Sequence, residues 1–102
     1  MTAREKDERI ARYNMSGMIC EVCGKPIMSE QPQIAHCISQ SVQNLNKYGW
    51  FFIQHRLNYR AVCSLKCNDA CNIGYDKGKV LNLLADILLY EMKKHSGGGE
   101  CL

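Results

Sequence analysis

The chain has 102 residues, of which 46% are hydrophobic and 23% charged, and its formal net charge is +3. That composition fits one small folded domain and leaves little room for two. Asn82 and Asp86 interrupt the longest apolar stretch, which argues against a membrane span, and the charged opening Met-Thr-Ala-Arg-Glu-Lys-Asp-Glu-Arg argues against a secretory signal. A cytoplasmic protein is therefore expected. Without export, seven cysteines, an odd count, point to metal rather than to a disulfide framework.

Residues 2–14 mix charges of both signs and read as a solvated helix with Glu5–Arg9 and Glu8–Arg12 pairs, or as a frayed tail. We treat residues 1–17 as a charged N-terminal segment, 18–95 as the folded domain and 96–102, with three consecutive glycines, as a disordered tail. Met18-Ile19 leads as a short strand into a tight turn, Cys20-Glu21-Val22-Cys23-Gly24-Lys25-Pro26. A polar loop over residues 29–32 precedes a strand, Gln33-Ile34-Ala35-His36-Cys37-Ile38. Residues 39–49 suit a loop with a helical turn, and residues 50–54 are aromatic and β-prone. Ser64 is placed to cap a helix from Leu65 to about Ile73, closed by Gly74. Over residues 79–94 the apolar positions Val80, Leu83, Leu84, Ile87 and Leu88 repeat at helical spacing. That amphipathic C-terminal helix would cover the core, and its exposed leucines would suit a homodimer interface.

Cys20-x-x-Cys23 and Cys63-x-x-x-Cys67 supply the thiolate pairs from two separate turns that a tetrahedral zinc needs. The bland reading is buried free thiols, which are common in cores. Cys71 lies four residues after Cys67 and offers an alternative ligand. We prefer Cys63 with Cys67, because the first thiolate can then leave a strand end. Cys37 reads as core and Cys101 as a tail thiol. A structural zinc of this kind contributes ~10–16 kcal/mol to folding in small peptides.

Between and after the pairs stand His36, His55, Asn58, Asn68 and Asn72; Asn68 and Asn72, four apart, project from one face of the helix that begins at the second cysteine pair. A neutral imidazole beside amide oxygens suits activation of water next to a hard divalent ion. Singly, each has a duller reading: a core histidine, a turn asparagine, a helix-terminal amide.

The order Cys-x-x-Cys, Ile-Ala-His-Cys-Ile, Leu-Asn-Tyr-Arg-Ala-Val-Cys and Cys-Asn, over residues 19–73, resembles the HNH or ββα-metal endonucleases, in particular the zinc-containing junction-resolving enzymes of phages. The resemblance implies an α+β fold, a small ββα-metal core braced by a four-cysteine structural zinc. It implies a metal-dependent DNA endonuclease of a bacterial or phage-infected cell. His36 would be the general base, Asn58 the central asparagine that orients it, and Asn68 and Asn72 ligands of a catalytic Mg²⁺ or Mn²⁺. One position departs from the pattern. Alanine stands at 35, where the family carries a metal-binding Asp or His: either Asn68, Asn72, phosphate and water hold the ion, or Asp69 (expected on a different side of the helix from Asn68) or His55 substitutes, or catalysis is lost. Shifting the register, with His36 as the ligand, puts Cys37 at the base position and suits hydrolysis poorly. Arg56, Arg60 and Lys66 are candidate DNA contacts near the site, joined by Lys47 and by Arg4, Arg9 and Arg12 of the N-terminal segment. The alternative is a catalytically silent zinc module that binds nucleic acid or protein. A redox role for Cys20-x-x-Cys23 lacks the βαβ setting it needs.

Overall fold

In the computed structural model, described here for residues 2–28 and 33–97, the sequence opens with a helix, α1 (Ala3–Ser16). Thr2 and Glu5 close a capping box at its start, and Gly17 ends it in the left-handed conformation at φ 66°. Arg4, Lys6 and Asp7 of α1 are solvated as the sequence suggests, but Glu8 and Arg12 do not pair with each other along the helix. Glu8 and Arg12 are buried, Glu8 reaching Arg56 and Arg12 reaching Glu21, so the helix is clamped to the rest of the molecule.

A two-stranded antiparallel sheet follows, formed by β1 (Gln33–His36) and β2 (Tyr59–Val62), with Ala35 opposite Arg60 and His36 opposite Tyr59. Between the strands run α2 (Val42–Tyr48), α3 (Trp50–Ile53) and a single 3₁₀ turn (Arg56–Asn58). The aromatic stretch expected as β-prone is therefore helical. Gly49, at φ 90°, redirects the chain, and the amides of Ile53 and Gln54 then bond back to the carbonyls of Gly49 and Trp50. β-propensity reports fit to a half-buried pleated surface, and these aromatics instead pack against a helix.

Ser64 caps α4 (Leu65–Ala70), its hydroxyl accepting from the amide of Cys67. This helix ends earlier than the sequence suggests. The amide of Ile73 leaves the helix to donate to Cys37 O at 2.9 Å, and Asn72 Oδ1 accepts from the amide of Gly74 at 2.8 Å. The last helix, α5 (Lys77–Gly97), buries Val80, Leu83 and Ile87, but Leu88 is exposed, turned away from the buried face. Positions 96 and 97 of the expected tail close α5; residues 98–102, Cys101 among them, and the loop at 29–32 lie outside the described residues. Among the described residues no helix is long and apolar enough to cross a membrane.

Two apolar clusters result. One joins Cys20, Ile27, Ala35, Tyr59, Val62 and Cys67 around the sheet, with Tyr13 of α1 packed on it. The other joins Ile38, Ile53, Val80, Leu83 and Ile87, where α5 covers α2 and α3. The product is a small α+β fold in which the hairpin and α4 meet at the cysteine pairs.

Candidate functional site

The first cysteine pair sits in a turn fixed by its own backbone. Cys20 N donates to Lys25 O and Gly24 N to Cys20 O, both at 2.9 Å, with Gly24 at φ 76°. A residue with a Cβ rarely adopts that conformation, which accounts for glycine there. Glu21 docks the turn on β2: its amide donates to Ala61 O at 2.9 Å, and its Oε2 accepts from Ala61 N at 2.7 Å and from Arg12 Nε at 3.0 Å. The second pair comes from the end of β2 and the first turn of α4.

The thiol sulfurs of Cys20, Cys23, Cys63 and Cys67 all lie within 4.8 Å of one another, with Cys23 to Cys63 at 3.5 Å and Cys63 to Cys67 at 3.9 Å. Tetrahedral zinc with ~2.3 Å bonds requires sulfurs about 3.8 Å apart, so four thiolates here can hold a metal ion and suit zinc. Electrostatics favour it too. Burial alone would raise the Cys20 thiol, but the amides of Cys23, Val22 and Cys63 outweigh it and bring it down to about 6. Hydrogen bonding with Cys23 and Cys20 pushes the Cys63 thiol upward, so these thiols share protons that a cation would displace. Cys71 stands outside the cluster. Its thiol donates to Cys67 O at 3.4 Å, and burial pushes its pKa up to about 11. Cys37 is likewise buried, as expected of a core residue.

Beside this centre, Ile34, His36, Ser39, Gln40, Asn68, Asp69 and Asn72 line a cleft of about 480 Å³. His36, Asn68 and Asn72 thus share one cavity, although Asn72 lies beyond the end of α4. Asp69, expected on a different side of α4 from Asn68, lines the same cleft. His36 Nε2 lies 3.0 Å from Gln54 Oε1. An amide oxygen only accepts, so Nε2 carries the proton and Nδ1 keeps its lone pair. Tyr59 OH donates to the same Gln54 oxygen at 2.7 Å, and Gln54 Nε2 donates to Gln40 Oε1 at 3.1 Å, which locks the amide. Desolvation holds the His36 pKa below its ordinary value, against the raising effect of the Gln54 bond. The imidazole is therefore neutral at neutral pH.

Asn58 is fully buried and does not line the cleft. Its Oδ1 accepts from Ile38 N, and its Nδ2 donates to the carbonyls of Ile38 and Ile53. Ala35 and Cys37, the neighbours of His36, are both buried, Ala35 in the apolar cluster around the sheet. The other sequence candidates lie elsewhere. His55 is fully buried, its Nδ1 accepting from Leu57 N and its Nε2 paired with Glu91 at 2.9 Å, so it cannot serve the cleft. Arg56 bonds Glu8 through its amide and guanidinium and donates to Tyr90 OH. Arg60 donates to the carbonyls of Leu57 and Tyr59, and Lys66 is exposed beside Cys63 and Cys67.

Sequence reasoning missed Gln54 and Tyr59, the two residues that orient His36. Tyr59 faces His36 in the sheet, a signal available once strand register is known. Gln54 gives no local signal, because its role depends on how α3 turns back. Compared with known proteins, the chain matches no family model, no curated protein and no solved structure.

Proposed function

We propose that the chain is a metal-dependent phosphodiester hydrolase acting on DNA, with a structural zinc in the four-cysteine centre and the HNH-type core that its motif order resembles. One observation carries this reading: His36, its Nε2 tied to Gln54 Oε1, shares a cleft with Asn68, Asp69 and Asn72 beside the four-cysteine centre. In this reading Nδ1 of His36 takes a proton from water, the water oxygen attacks phosphorus, and the P–O bond to the leaving sugar oxygen breaks. Gln54 and Tyr59 keep the ring in the tautomer that can do this, and Asn58 holds the chain after β1 so that His36 stays in place. Asp69 and the amide oxygen of Asn68 would offer hard oxygen ligands of the kind that suit Mg²⁺ or Mn²⁺, whereas Asn72 Oδ1 is taken by the amide of Gly74. Such an ion, when bound, neutralises charge on the phosphate and on the leaving oxygen. The carboxylate of Asp69 replaces the ligand missing at position 35.

The test is cleavage of supercoiled plasmid and of a branched duplex by zinc-loaded protein, with Mg²⁺, with Mn²⁺, and with no added divalent ion. A chelator is avoided because it would strip the zinc. Ion-dependent cleavage that Asp69→Asn weakens at least ~10-fold supports the reading. No product from either substrate with either ion refutes it.

The second reading, a silent nucleic-acid or protein-binding module, draws on Ala35. Its side chain is buried in the core, so β1 offers the cleft no carboxylate. Binding that ignores divalent ions, with no cleavage, is its signature.

A further inference from the structure

The arginines of this chain divide by partner. Arg12 is tied to Glu21 and Arg56 to Glu8, while Nη1 of Arg60 serves two backbone carbonyls. Neither Arg4, which lies over the rings of Trp50 and Phe51, nor Arg9 makes an ion pair or side-chain hydrogen bond among the described residues, and Arg9 alone has an Nε that is buried without an acceptor. A buried guanidinium nitrogen left in this state is costly, and because Nε is sealed from solvent an anion can reach only the outer nitrogens of the same group.

The location of Arg9 says which anion. Its guanidinium lies over the Tyr59 ring, 5.8 Å from the centroid, and His36 meets that same ring edge-on at 4.9 Å. Tyr59 is fully buried and tethered by its hydroxyl to Gln54, so it acts as a rigid spacer between cation and imidazole. The charge of Arg9 is close enough to help hold the His36 pKa low, after desolvation. Arg9 as a whole is only half-buried, which leaves it reachable from solvent.

We propose that Arg9 is the phosphate anchor of the His36 cleft, holding a non-bridging oxygen of a DNA phosphodiester beside the imidazole through its planar fork. The inference rests on reading the cleft as a phosphodiester site. It replaces Arg56 and Arg60, which the fold uses internally, and it makes α1 part of the site.

Dimethyl phosphate, titrated into zinc-loaded full-length protein and followed by NMR, tests the contact without any cleavage. The Arg9 Nε–H resonance and the His36 ring signals should move together and saturate, and Arg9→Gln should abolish the His36 response. Duplex affinity of Arg9→Gln should fall at least ~10-fold, and its dependence on log salt should become shallower by about 1. Arg9→Lys should restore the salt slope but not the full affinity. An Arg9 Nε–H signal unmoved at saturating dimethyl phosphate overturns the proposal. So does Arg9→Gln protein that keeps its zinc and near-UV spectrum yet binds duplex like wild type. Cleavage lost in His36→Ala, with Arg9→Gln binding unchanged, refutes the anchor and leaves the hydrolase standing. Phosphate contact at Arg9 without cleavage of any substrate does the reverse.

Discussion

Asn58 grips Ile38 by both of its backbone groups: Oδ1 accepts from Ile38 N at 2.8 Å, and Nδ2 donates to Ile38 O at 3.0 Å. A third bond, from Nδ2 to Ile53 O at 2.9 Å, ties the end of α3 to the same clasp. One fully buried side chain thereby fixes the exit of β1, two residues after His36.

Asn58→Ala would leave an amide and two carbonyls without partners in the interior. We expect a loss of about 3 kcal/mol in unfolding free energy, because stranded buried polar groups cost ~1–3 kcal/mol each and some will recruit water. Denaturant titration of the zinc-loaded protein measures it. A loss under about 1 kcal/mol would mean that the clasp is dispensable.

The four-cysteine centre makes a sharp distinction among the thiols. Serine at Cys20, Cys23, Cys63 or Cys67 should abolish tight binding of one metal and leave the chain poorly folded, since zinc of this type supplies ~10–16 kcal/mol in small peptides. Serine at Cys71 or Cys37 should leave one metal per chain. Substitution with Co²⁺ reads the site directly through sulfur-to-metal absorption, which should keep its tetrahedral form in Cys71→Ser.

The clamps on α1 predict acid lability. Glu8 and Glu21 are buried enough to feel desolvation, but Arg56 and Arg12 with the amides of Arg56 and Ala61 outweigh it and hold both pKa values below the usual 4.5. With folded values below unfolded ones, this stability is complete above about pH 4.5 and disappears as pH falls through the folded values. Glu8→Gln should lose about 2 kcal/mol at pH 7 and show a weaker acid dependence than wild type. Thermal melts from pH 7 downward compare the two.

The same clamps show what was legible in the sequence and what was not. Both cysteine pairs and the cap at Ser64 could be read from spacing and residue type, and the joining of His36 with Asn68 from the resemblance in motif order. The use of α1 could not. Glu8 and Arg12 stand four apart, a pattern that describes a surface pair equally well, and only the tertiary placement of Arg56 and Glu21 decides between them. The early end of α4 was hidden for a similar reason, because the amide of Ile73 bonds to Cys37, far away in sequence.

Activity should depend on pH through His36. Its folded pKa lies below 6.5, so kcat/KM should be flat above that pH and fall on the acid side as the imidazole protonates. The bond to Gln54 raises the pKa, so Gln54→Leu should move the acid limb to lower pH. The same change should slow cleavage about tenfold, because the ring loses its fixed orientation. An acid limb that does not move would separate the observed titration from His36.

The most direct test of the central claim is cleavage of plasmid and branched duplex by zinc-loaded His36→Ala beside wild type, with Mn²⁺, in the presence and absence of free imidazole. Wild type should cleave in an ion-dependent way, the variant at least ~100-fold less, with partial recovery when imidazole supplies the missing base. Cleavage by His36→Ala at the wild-type rate, with the zinc and the fold intact, would contradict it.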